Sequence, residues 1–171
     1  DSFLQVVTSG SGFAVGRYQT TAGNNGYVGY VTAGELTPAG NLPTTTATYA
    51  GAAEATVVGS STGTRTARGN AEITAAFVPG GGVVNGTLSG LTINGSATGY
   101  DVMLNAGVIT GNTYSGAATL AGAPGAIVTS GNFEGAFYGS SGQGTGGSFY
   151  LKADNVNSEN IEMVGGYGGT Q

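Results

Sequence analysis

Glycine sets the limits on this chain. Of its 171 residues, 35 are Gly, and one seldom lies more than a dozen positions from the next. Each Gly inside a helix costs about 1 kcal/mol relative to Ala, and no window keeps apolar residues at i, i+3, i+4 and i+7, so long helices are excluded. What remains are short runs rich in Val, Thr, Tyr and Phe, separated by turn clusters at Asn25-Gly26, Gly80-Gly81-Gly82, Asn94-Gly95 and Gly142-Gln143-Gly144. That spacing predicts an all-β meander of hairpins.

Three strands are expected early, over residues 3–8, 13–20 and 27–33. A connector follows at 37–43, where Pro38 and Pro43 interrupt any ladder. Eight more strands are expected over 47–58, 66–77, 83–93, 100–109, 113–121, 131–138, 146–153 and 161–167. Eight consecutive antiparallel strands predict a closed up-and-down barrel, because closure removes the two sheet edges that invite aggregation. The chain thus divides into a strand-rich N-terminal handle or extension, residues 1–46, and an eight-stranded β-barrel domain, residues 47–171. Alternation agrees: Phe133, Gly135 and Phe137 share one face, Glu134, Ala136 and Tyr138 the other, and Phe149 and Leu151 oppose Tyr150 and Lys152. Gly within such strands lets rings pack closely in an interior that side chains can just fill. A membrane-embedded barrel needs a continuous lipid-facing apolar band, and the strands at 49–56 and 66–72 put charges and Gly in its place, so a soluble barrel is expected.

The chain has no Cys and no His. Thiol catalysis, Ser-His-Asp and Cys-His arrangements, disulfide frameworks, zinc sites and His-ligated haem each lose a required group. No cofactor and no metal are expected, and the chain does not read as an enzyme. Four cations against nine acids, a net charge of −5, cannot neutralise a phosphate backbone, so neither nucleic acid nor an anionic membrane is an expected partner. Only 8% of positions are charged, which leaves the surface to Thr, Ser, Asn and Gly as in secreted β proteins. No apolar run approaches the roughly 18 residues of a spanning helix. A chain that begins at Asp1 with no signal-peptide pattern reads as a processed or trimmed piece, and any lipid anchor would lie upstream of it.

Ordered elements from about residue 45 onward carry a family likeness: Tyr49-Ala50-Gly51, then Gly69-Asn70-Ala71-Glu72-Ile73-Thr74-Ala75-Ala76-Phe77, then Val84-Asn85-Gly86-Thr87-Leu88-Ser89-Gly90-Leu91. Thr113-Tyr114-Ser115-Gly116, Gly131-Asn132-Phe133-Glu134-Gly135-Ala136-Phe137-Tyr138-Gly139, Gly146-Gly147-Ser148-Phe149 and Val164-Gly165-Gly166-Tyr167-Gly168-Gly169 complete it. In this order they resemble the barrel domain of the transferrin-binding protein B-like family of bacterial surface proteins. The fold motif is Phe133, Gly135, Phe137, Tyr138 and Gly139, then Gly146, Gly147 and Phe149, with Tyr138 expected to cap the hairpin end. The turn between its halves, Ser140-Ser141-Gly142-Gln143-Gly144-Thr145, lacks the Pro and the acidic residue usual in the family. The resemblance implies a surface-exposed or secreted module of a Gram-negative bacterium, with an N-terminal handle beside the barrel and loops at one end that engage a partner. Members are often lipoproteins, and some capture host proteins such as transferrin. No recognisable partner loop is present here, so transferrin binding is not carried over.

Other constellations read as structure. Gly142, Gly144 and Gly147 satisfy G-x-G-x-x-G, but the dinucleotide fingerprint needs a helix after the loop, and this one sits inside a hairpin. Asp154-Asn155-Val156-Asn157-Ser158-Glu159-Asn160 gathers oxygen ligands suited to calcium, yet it misses the EF-hand spacing and reads as a solvated hairpin loop. Glu54, Glu72 and Glu134 fall within strands, where a close pair could act on a glycoside; outward solubilising positions are the better reading. Arg17, Arg65, Arg68 and Lys152 are expected to pair with these acids.

Tyr18, Tyr27, Tyr30 and Tyr49 lie in or beside the N-terminal third and are the candidate partner contacts, since Tyr offers a rigid apolar face with a hydroxyl. Packing of the handle on the barrel is the competing use. The expected function is a non-catalytic extracellular or cell-surface binding protein that recognises a partner protein or small ligand through barrel-end loops and the N-terminal segment. The alternative is a structural subunit that packs with copies of itself.

Overall fold

The computed structural model describes residues 2–22 and 25–171. Asp1, on which the reading of a trimmed chain rests, lies outside the described residues. Strands β1 (Ser2–Gly10), β2 (Phe13–Ala22) and β3 (Asn25–Gly34) form an antiparallel sheet in the order β1-β2-β3. The expected turn at Asn25-Gly26 is corrected: both residues pair with β2, as Asn25 with Ala22 and Gly26 with Thr21. The two residues that join β2 to β3 lie outside the described set.

After a 3-10 turn at Ala39–Asn41 come β4 (Ala47–Gly59), β5 (Gly63–Val78), β6 (Gly81–Ile93), the short β7 (Ser96–Ala97), β8 (Asp101–Thr110), β9 (Thr113–Ala121), β10 (Ile127–Tyr138), β11 (Gly144–Val156) and β12 (Glu159–Thr170). Each long strand pairs antiparallel with the next, and β12 returns to β4, which closes an eight-stranded barrel. The expected strands fall within these, except that β8 starts at Asp101 and leaves Tyr100 in the loop before it. β7 was not foreseen, and the Gly80-Gly81-Gly82 turn is narrower than expected, since Gly81 and Gly82 already pair with Val78 and Phe77. Asn94-Gly95 does turn the chain: both have positive φ, 51° and 81°, the pairing of a tight hairpin whose twist matches its strands.

Inward positions hold Tyr49, Ile73, Leu88, Leu104, Phe133, Phe137, Leu151, Met163 and Tyr167, all at most 1% exposed. Phe137 sits among three rings, its centroid 5.0 Å from Phe77, 5.1 Å from Tyr114 and 5.9 Å from Tyr49. Such ring spacing adds to area burial. One barrel end is crossed by the connector. Leu36 bridges to Tyr138, and the fully buried Thr37 donates its N–H to Phe137 O and its hydroxyl to Gly139 O. Leu42 packs on the core at the same end.

The three-stranded sheet lies on the outside of β11, β12 and β4, and glycine makes that possible. A Cβ on Gly168 would stand 2.7 Å from the Phe13 ring, and one on Gly166 2.7 Å from Val15. Gly144 meets Phe13 as closely, and a Cβ on Gly146 would stand 3.1 Å from both Phe13 and Val15. These four positions form a smooth patch on the barrel wall, into which Phe13 and Val15 settle, 6% and 0% exposed. Tyr138 belongs to this outer layer. It does not merely cap the hairpin, as expected, but stacks on Phe13 at 5.5 Å.

Candidate partner-binding surfaces

Strand alternation splits the N-terminal sheet into two faces. Phe13, Val15, Arg17, Tyr30 and Thr32 turn toward the barrel. Leu4, Val6, Tyr18, Tyr27 and Val31 turn away, between 43% and 66% exposed. Leu4 lies over Gly16 and the Tyr18 ring over Gly29, so the outer face is flat as well as apolar. Among the described residues it carries no charge, because the cation of β2, Arg17, has the opposite parity.

The four candidate tyrosines therefore part company. Tyr18 and Tyr27 share the outer face. Tyr30, three residues from Tyr27, is on the other side of its strand, packed on Gly166 with its hydroxyl 3.4 Å from Glu54 Oε1 and 3.3 Å from Thr56 Oγ1. Tyr49 is corrected outright: it lies inside the barrel, fully buried, and donates to Gly142 O at 2.8 Å. No partner reaches it. Leu4, Val6 and Val31 join the surface unforeseen. Their signal was present, since β1 and β3 are apolar on both faces and only one face can meet the barrel.

Glu54 also differs from expectation. It points outward, but the N-terminal sheet covers it, leaving the residue 2% exposed. Arg68 Nε donates to its Oε2 at 2.7 Å, and Arg17 Nε stands 3.6 Å from Oε1. Arg17 also donates to Thr66 Oγ1. A carboxylate buried between two guanidinium groups and a phenol is a structural joint. Glu72 and Glu134 are exposed on other strands, so the three acids do not converge on a glycoside-cleaving pair. Arg65 pairs with Glu159.

At the barrel end away from the connector, Glu159 accepts from Ser61 and Thr62, and these bonds hold its carboxyl below the ordinary carboxylate range. The oxygen-rich 154–160 stretch forms the β11–β12 hairpin. Asn155 bonds to Gly125 O and Asn157 to Thr98 O, which ties neighbouring loops together. Among the described residues, no group of three acidic, His or Cys side chains could hold a metal. Gly142, Gly144 and Gly147 lie in the β10–β11 turn and the strand after it, with no helix following. No helix among the described residues is long and apolar enough to cross a membrane.

Burial acts on the phenols. It pushes Tyr114 up to about 12 and Tyr167 well above 10.0, and it pushes Tyr30 up to about 12 with help from the Glu54 carboxylate. The folded protein holds these protons more tightly than the unfolded chain, so their contribution is complete below pH 10 and is lost as pH rises toward 12. In an alkaline titration, tyrosinate absorbance from these three rings should appear together with the loss of β-sheet circular dichroism. Full ionisation of all nine tyrosines with the sheet signal intact would contradict this.

A cleft of about 560 Å³ separates β3 from the barrel wall, lined by Tyr30, Val31 and Thr32 on one side and by Ser115, Glu134, Gly135, Gly146, Gly147 and Ser148 on the other.

Residues 42–171 match the family profile described as the C-lobe and N-lobe beta barrels of Tf-binding protein B. Among solved structures, a tryptophan-to-alanine variant of the vaccine antigen Transferrin Binding Protein B from Haemophilus parasuis Hp5 aligns with a TM-score of 0.61 at 19% identity, over 94% of this chain and 33% of that one. A double tyrosine and tryptophan variant of the same protein aligns with a TM-score of 0.56 at 18% identity, over 91% and 32%. This likeness is one of fold, and the chain spans about a third of the length of those solved proteins. Among curated protein sequences none matches the chain. The profile covers every strand of the barrel, and the chain belongs to the family of the C-lobe and N-lobe β-barrels of Tf-binding protein B.

Proposed function

We propose that the chain is a non-catalytic binding module of the Gram-negative cell surface that recognises a protein partner. The outer face of the N-terminal sheet supports this most directly. Leu4, Val6, Tyr18, Tyr27 and Val31 give it a flat, uncharged, apolar surface with two tyrosines. Contiguous apolar patches of this kind on a β protein mark interaction sites, and Tyr is enriched at their energetic centres. The loops at the barrel end away from the connector, braced by Glu159, Asn155 and Asn157, would form a second contact. Family membership supplies the setting, a surface lipoprotein that binds protein. Transferrin is not assigned as the partner.

The test uses the purified chain on a biosensor surface with fractionated host serum, read against a Tyr18→Ala, Tyr27→Ala double variant. Saturable binding should fall at least about ten-fold in the variant, the loss of roughly 1.4 kcal/mol. Its thermal midpoint should stay within a few degrees, because both rings are exposed. Binding that survives the double substitution removes the face from the interface. A high-order oligomer by solution mass measurement would favour the self-packing alternative.

A further inference from the structure

The two edges of the N-terminal sheet are not alike. Natural sheets blunt open edges with charged residues, Pro or bulges, because a bare edge is a template for another strand. Both edge strands lie against the barrel, β1 on β12 and β4 and β3 on β11 and β12, but β1 carries a bulge between Val6 and Thr8. β3 has none of these devices: its sequence, Asn25 to Gly34, holds no charge and no Pro, and its ladder with β2 runs without a register shift. Among the described residues it is paired on one side only.

That bare edge faces the 560 Å³ cleft. Tyr30, Val31 and Thr32 are consecutive, so their side chains alternate between faces, and they share one wall only along the strand's edge. Among the described residues, none of β1 or β2 lines it. Small polar side chains, Thr110, Thr113, Ser115 and Ser148, make up much of the opposite wall beside Val108 and Tyr138, so an extended segment can lie across it. Among the described residues Glu134 is the one charged group in the lining.

We propose that this cleft is a strand-addition site, taking an extended segment of a partner protein that pairs with β3 and presents a Lys or Arg to Glu134. Main-chain hydrogen bonds to the edge would give affinity and the carboxylate would give register and specificity. A second copy of this chain fits less well. Its β3 comes joined to its own sheet and barrel, and its own Glu134 would be brought toward this one in a protein of net charge −5. The inference rests on the binding-module reading and names how one partner segment would dock.

The probes are short synthetic peptides of alternating Thr and Val with a central Lys, the same with a central Glu, and the Lys peptide N-methylated at alternate residues. Titrated into the full chain, the Lys peptide should shift the backbone amide NMR signals of Tyr30, Val31 and Thr32 and of Glu134. Affinity for the N-methylated and Glu peptides should be about ten-fold or more weaker, and Glu134→Lys should reverse the Lys-over-Glu preference. Equal binding of the N-methylated peptide, shifts confined to other residues, or no saturable shift with the Lys peptide would each overturn the proposal. Concentration-dependent shifts at 30–32 without peptide would overturn it in favour of a second copy. Tyr18→Ala, Tyr27→Ala should leave peptide binding intact. Serum-partner binding without peptide binding therefore removes strand addition alone.

Discussion

Phe137→Ala should lower stability by about 3–5 kcal/mol, the usual cost of removing a buried Phe from a packed core. For a chain of this length that is a fall of roughly 10–15 °C in the thermal midpoint. Phe137 is fully buried and touches the rings of Tyr49, Phe77 and Tyr114, so its loss leaves a hole among three groups that cannot all collapse inward from a closed barrel. A Phe137→Leu variant should lose less than half as much. A midpoint within about 3 °C of the parent for Phe137→Ala would show that the aromatic cluster does not hold the barrel together.

Glu54→Ala should cost about 3 kcal/mol, within the range for breaking a buried ion pair by removing one member. The carboxylate is the acceptor at the joint between sheet and barrel, and the substitution takes it from Arg17, whose side chain is 13% exposed. The loss should fall first on docking of the sheet. Limited proteolysis is expected to cut within residues 1–46 while the barrel strands stay protected. Arg68→Ala should cost under about 1 kcal/mol, since the Arg68 side chain is 61% exposed and water replaces what it gives. Equal effects of the two substitutions would mean the joint is not where the charge is buried.

Much of the architecture was legible because β-strands report their two faces by alternation and their ends by Gly, Pro and Asn. The eight barrel strands, the connector at Pro38 and Pro43, and the inward run of Phe133, Phe137 and Phe149 all follow from that local rule. The candidate site was less legible. Tyr27 and Tyr30 look alike in sequence, and only their odd spacing, once placed in one strand, sends them to opposite faces. Tyr49 belongs to the barrel because it follows the connector, which a list of tyrosines does not show. Glu54 reads as one more surface acid, because the sheet that buries it is more than twenty residues away in the chain.

Glycine shows where the division falls. Its abundance alone ruled out helices and, with the turn dipeptides, determined a short-stranded β chain that closes on itself. What each Gly does was decided by tertiary contact. Gly166 and Gly168 are a seat for Val15 and Phe13, whereas Gly135 and Gly165, in the same kinds of strand, make room inside for Tyr114 and Phe149. A residue without a side chain carries no record of which neighbour needed the space. Backbone preference is local and written in the sequence, but the packing of one surface on another exists only once both surfaces are formed.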